Sequence, residues 1–103
     1  MTKLVKIAET KDLLPGNGKV VEADGRSIAL FNVAGTFYAI DNACTHEGGP
    51  LGEGELVAEV VTCPWHGAQF NVKTGAVLKP PAREGVLSFP VKVQGNDLLV
   101  ELN

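Results

Sequence analysis

A chain of 103 residues, 45% hydrophobic and 20% charged, matches one small globular domain and is too short for two domains with separate cores, so one core is expected to do all the packing. A net charge of −3 and nine scattered Lys and Arg exclude a phosphate-backbone footprint, and nucleic acid is not expected as a partner. No apolar run approaches the roughly eighteen residues of a membrane-spanning helix, and the N-terminal Met1-Thr2-Lys3-Leu4-Val5-Lys6 lacks the apolar core of a signal peptide, which predicts a cytoplasmic protein with no membrane partner.

In chain order, apolar residues mostly follow the two-residue period of half-buried strands. Thr10 to Leu14 offers one helical turn at most. Lys19-Val20-Val21-Glu22 and Ser27-Ile28-Ala29-Leu30-Phe31 read as strands joined at Asp24-Gly25, and Ala34-Gly35 joins the second of them to Thr36-Phe37-Tyr38-Ala39-Ile40. Both junctions are hairpin turns by composition. A strand containing Val60 and Val61 follows. Towards the C-terminus Leu87, Phe89, Val91 and Val93 share one face of a strand, Leu98, Val100 and Leu102 repeat the pattern, and Gly95-Asn96-Asp97 between them predicts a terminal hairpin. With 12 Gly and 6 Pro punctuating the chain, the fold class is all-β, an antiparallel sandwich or barrel of short strands.

Two glycine- and proline-rich stretches, 42–50 and 62–70, interrupt the strand pattern and hold every Cys and His: Cys44, His46, Cys63 and His66. Each follows a strand, so the two loops are expected at one end of the same sheet. The ligand types run Cys-x-His, then sixteen residues, then Cys-x2-His. Spacers this short let two side chains of one turn converge on a metal centre, and two such turns supply four ligands. Gly48-Gly49 and Gly67 let the backbone come close and offer N–H groups to negative sulfur. Two cysteines in a reducing compartment are poor material for a structural disulfide, which leaves metal or redox chemistry. A closed tetrahedral zinc site stays open as an alternative at this point, although zinc modules usually order their ligands Cys-Cys then His-His.

The pattern C-x-H followed by C-x2-H, at Cys44, His46, Cys63 and His66, resembles the Rieske iron–sulfur proteins, and strands before, between and after it extend the resemblance over nearly the whole chain. The resemblance implies one 2Fe-2S cluster, with Cys44 and Cys63 on a buried iron and His46 and His66 on an outer one. Two thiolates and two sulfides balance two ferric ions, so the oxidised centre is formally neutral and accepts an electron more easily than a four-thiolate cluster. The resemblance also implies a proline-bearing covering loop, for which Lys79-Pro80-Pro81-Ala82 is placed. Membrane-anchored respiratory members carry two further bridging cysteines, and the corresponding positions here are Gly49 and Trp65. The chain therefore looks like a soluble ferredoxin, a monomer that catalyses nothing itself. Such a carrier passes electrons from a flavoprotein ferredoxin reductase to a terminal ring-hydroxylating oxygenase. A small subunit of a larger enzyme, such as nitrite reductase, is the alternative.

Smaller expectations accompany that reading. Trp65 is expected to keep water from the cluster, while Phe37, Tyr38 and Phe70 are core or sheet-face residues. Glu47, Glu53, Glu55 and Glu59 form either a solvated loop or a docking surface for a basic partner. High-potential members carry a serine two residues after the second His and a tyrosine two further on. Ala68 and Phe70 stand there, which implies a potential near the low end of the Rieske range, about −150 mV.

Overall fold

The computed structural model describes residues 3–43, 49–65, 67–80 and 82–102. Its strands in chain order are β1 (Lys3–Glu9), β2 (Gly18–Ala23), β3 (Arg26–Val33), β4 (Thr36–Asp41), β5 (Glu55–Val57), β6 (Val60–Thr62), β7 (Gln69–Asn71), β8 (Val77–Lys79), β9 (Ser88–Phe89), β10 (Val91–Gln94) and β11 (Asp97–Leu102). Single 3-10 turns span Thr10–Asp12, as the sequence predicts, and Leu51–Glu53. The strands make three antiparallel sheets, ordered β1-β11-β10, β2-β3-β4-β9 and β5-β6-β7-β8. No helix among the described residues is long and apolar enough to cross a membrane.

The three expected hairpins form. Asp24 and Gly25 both have positive φ, 54° and 80°, the geometry whose twist matches the flanking strands and which favours a glycine. The β3–β4 register runs from Ile28 opposite Asp41 to Val33 opposite Thr36. β1 pairs with β11 and shifts register between Lys6 and Ala8. That irregularity hides the strand from a search for strict alternation.

A single core is not what forms. Ile28, Leu30 and Ala39 pack with Leu98, Val100 and Leu102 in one apolar cluster. Ala29, Phe31 and Ile40 pack with Val61, Cys63, Phe70 and Val72 in another. Successive residues of a strand point to opposite faces, so the β2-β3-β4-β9 sheet is a middle layer covered on both sides. That is why Ile28-Ala29-Leu30-Phe31 is an unbroken, wholly buried apolar run rather than an alternating one.

The long C-terminal strand expected from Leu87 to Val93 is also divided. β9 pairs with β4, whereas β10 pairs with β11 in a different sheet. Pro90 lies between them, without the N–H that would continue a ladder, and its carbonyl accepts the Glu101 N–H at 2.9 Å. Leu87 and Val93 are 60% and 53% exposed, so the four residues do not share a buried face. The two glycine-rich loops likewise spring from different sheets: the first leaves β4, and the second joins β6 to β7.

Candidate functional site

The second loop is built around Cys63. Its N–H donates to the Ala68 carbonyl at 2.7 Å, and the Gly67 N–H donates to the Cys63 carbonyl at 3.1 Å. Those bonds close the connection between β6 and β7. Gly67 has φ +78° with open space around it, so glycine serves conformation there and not packing. Cys63 itself is an unbridged thiol, only 3% exposed, set among Val61, Ala68 and Phe70. Phe37, Tyr38 and Phe70 are core or core-facing, as expected.

The first loop is pinned at both ends. Ala43 and Pro50 form an isolated antiparallel bridge. Just before it, the Asn42 N–H donates to the Ser27 carbonyl at 3.2 Å and the Asn42 carbonyl accepts the Leu51 N–H at 2.8 Å. The Asn42 side chain accepts the Gly52 N–H at 2.8 Å and donates to Ser27 Oγ at 3.2 Å. One asparagine thus fastens the segment's entry and exit to β3. Nothing in the sequence marked Asn42 for this beyond its general suitability for turns.

The two loops meet at Gly49. A Cβ built there would lie 2.6 Å from Cys63 Sγ and 3.2 Å from Trp65 Cγ and Cδ2. The backbone of the first loop therefore lies directly against the sulfur of the second. Trp65 covers Gly49 with part of its ring and leaves 56% of the residue exposed. The proline-bearing segment after β8 leaves Pro80 exposed and returns at Ala82 to the cluster of residues that contains Cys63.

Cys44, His46 and His66 lie outside the described residues, as do Glu47 and Pro81. Of the four sequence-derived ligands, Cys63 is the one whose surroundings are described. A buried thiol whose sulfur abuts bare glycine backbone is a soft donor in a place where backbone can approach a metal–sulfur group, so it fits such a group. The acidic run is not uniform. Glu53 and Glu55 are exposed, but Glu59 accepts a 2.7 Å hydrogen bond from Asn71 Nδ2 and sits 3.8 Å from Lys73 Nζ.

Residues 3–90 match the model of the Rieske 2Fe-2S domain. The chain is 32% identical over 101 residues to the ferredoxin component of the naphthalene 1,2-dioxygenase system of Pseudomonas putida, covering 98% of this chain and 97% of that one. Among solved structures it superimposes on the ferredoxin of carbazole 1,9a-dioxygenase from Nocardioides aromaticivorans IC177 with a TM-score of 0.91 at 32% identity, covering 95% of this chain and 96% of that one. A complex of reduced oxygenase and oxidized ferredoxin in carbazole 1,9a-dioxygenase contains a chain matched with a TM-score of 0.89 at 34% identity, covering 94% of this chain and 91% of that one. Likeness to a nitrite reductase small subunit from Mycobacterium tuberculosis, at 23% identity and a TM-score of 0.89, covering 100% of this chain and 97% of that one, shows the fold alone.

Proposed function

This chain belongs to the family of Rieske 2Fe-2S domains, and from that premise we propose that it is the ferredoxin of an aromatic-ring dioxygenase system. It is an electron carrier and not itself a catalyst. Its cofactor is one Rieske-type 2Fe-2S cluster, which displaces the zinc alternative. The observation that carries the reading is the near end-to-end likeness to dioxygenase ferredoxins in both sequence and fold. The complex of a carbazole dioxygenase oxygenase with its ferredoxin supports a terminal oxygenase as the partner that takes the electron. A flavoprotein reductase supplies it, and the carrier works as a monomer in the cytoplasm.

In this reading Cys44 and Cys63 hold the inner iron, and His46 and His66 hold the outer one. When bound, the cluster supplies a one-electron couple whose potential is raised by its two imidazoles. The chain's own residues set the surroundings. The Cys63 and Gly67 N–H groups are committed to carbonyls, so they fix the shape of the hairpin and are not available to sulfur. Ala68 and Phe70 are fully buried and have no side-chain donor. Cys63 enters the site from an apolar core, which excludes water on that side.

The test begins with the purified protein, which should be red-brown with about two irons and two acid-labile sulfides per chain. It should be reduced by NADH through a dioxygenase-system flavoprotein reductase and reoxidised by a terminal oxygenase turning over its aromatic substrate. One zinc and no sulfide would refute the cofactor. A chain that always co-purifies with a catalytic subunit, and cannot be reduced when separated from it, would favour the fixed-subunit alternative.

A further inference from the structure

We propose that Trp65 is a positioning residue whose ring, seated on the bare backbone of Gly49, clasps the two ligand-bearing loops together and fixes where the Cys63 sulfur sits. The inference rests on the reading of those loops as the cluster site. It begins with Gly49, which is buried and whose φ is not in the left-handed region. Any residue can adopt that backbone, so space and not conformation demands the glycine. The space is filled by two atom groups of one neighbouring loop: Cys63 Sγ, 2.6 Å from a Cβ at Gly49, and the Trp65 indole, 3.2 Å from it. One missing side chain thus seats both the sulfur and the ring.

The position of the indole is not explained by core packing. Trp65 belongs to neither apolar cluster. Among the described residues the ring lies against Gly49, while 56% of the residue is left to solvent. Each loop is closed at its own base, by Asn42 in the first and by the Cys63–Ala68 hydrogen bond in the second. Among the described residues no hydrogen bond joins segment 49–50 to segment 63–65. Among the described residues, contact of Gly49 with the ring and with Cys63 Sγ is therefore what couples the two loops there. An indole supplies enough flat apolar area to do so, and a phenyl ring supplies part of it.

The experiment uses the cluster-loaded protein with Trp65→Ala, Trp65→Phe and Gly49→Ala. Three readouts are followed: the rate of cluster loss to a chelator, the visible circular dichroism of the cluster and the emission of Trp65, which is the chain's one tryptophan. Trp65→Ala should lose its cluster faster by on the order of two- to tenfold and change the visible dichroism, and Trp65→Phe should restore most of both. Gly49→Ala should displace the ring and shift its emission to longer wavelength, with or without a cluster present. Unchanged loss rate and dichroism in Trp65→Ala would overturn the clasp. So would faster loss with wild-type dichroism in both Trp65 variants, which would make the ring a water shield only. If the wild-type chain holds no iron and sulfide, the cluster reading fails instead, and an unmoved Trp65 emission in Gly49→Ala then overturns the contact separately.

Discussion

The two faces of the β2-β3-β4-β9 sheet are covered in different ways. On one face, Ile28 and Leu30 meet hydrocarbon from β11, and the covering sheet is made of long ladders, with β1 and β11 paired from Lys3–Leu102 to Glu9–Asp97. On the other, Ala29 and Phe31 meet residues of three-residue strands and a thiol. β7 and β8 share only the pairs Gln69–Lys79 and Phe70–Val77, with a register shift between them. The first face is a self-sufficient apolar interface. The second buries Cys63 at the point where its loop meets another, so a group bound to both loops would contribute directly to its stability. The fold thus sets a half covered by long ladders against a half built on short strands and a buried thiol, and the second is expected to depend more on its cofactor.

The largest expected effect tests that division. When the cluster is removed by acid or chelator, amides of β5–β8 should lose protection from hydrogen exchange, while those of β3 and β11 stay protected near the global limit. The gap should be on the order of 2 kcal/mol or more, about thirtyfold in exchange rate. Exchange measured residue by residue on the apo protein checks this. Equal loss of protection in both halves would mean that the molecule is one cooperative unit and the contrast is only geometric.

The same division explains what was legible in the sequence. The β2–β3–β4 meander and the β10–β11 hairpin were readable because Asp24-Gly25, Ala34-Gly35 and Gly95-Asn96 punctuate clear strands. β5, β7 and β8 were not, because three residues are too few to display a period. Ile28 to Phe31 was recognised as a strand but not as one buried on both faces, a property that depends on sheets contributed by distant segments. Pro90 was in plain view, and its missing N–H should have ended the long strand. At the site, residue type and spacing single out Cys63, and the structure describes it as a buried, unbridged thiol. The contact between Gly49, Cys63 and Trp65 was not legible, since a sequence does not say what a glycine faces.

A smaller effect is expected on the redox potential, and it sharpens the contrast because it should arise only in the half that holds Cys63. Ala68 is fully buried, and its carbonyl accepts the Cys63 N–H at 2.7 Å, so a hydroxyl at this position would be introduced close to Cys63. Replacing it by serine offers a donor to the more negative reduced centre. A hydrogen bond to a charged group is worth about 1.5 to 3 kcal/mol and 59 mV is about 1.4 kcal/mol for one electron, so Ala68→Ser should raise the midpoint by up to roughly 60 to 130 mV. Phe70→Tyr should gain less, because its ring is fully buried and an added hydroxyl must displace packed neighbours. Redox titration checks both. A wild-type midpoint above about +150 mV would contradict the low-potential reading.

The smallest effect concerns the rate at which partners are met. In the half covered by long ladders the charges largely satisfy one another: Lys3 pairs with Asp24 at 2.7 Å, and Lys6 with Asp97 at 3.1 Å. Hydrogen bonding to Asp97 holds the Lys6 amine above its ordinary pKa. In the other half, Glu59 is engaged by Asn71 and Lys73, whereas Glu53 and Glu55 are exposed and take part in no ion pair among the described residues. Long-range steering of a basic partner is carried by charges that are not neutralised locally, and it is screened within about 8 Å at physiological ionic strength. Glu53→Gln with Glu55→Gln should therefore slow association with reductase or oxygenase a few-fold at low salt, and the difference should vanish as salt rises. Asp97→Asn, in the β1-β11-β10 sheet on the other face of the middle layer, should slow association less. Stopped-flow electron transfer across a salt series measures all three proteins. If the wild-type rate does not fall with salt, or if Asp97→Asn slows it as much as the Glu53 and Glu55 pair does, the exposed glutamates are a solvated surface and do not steer the partner.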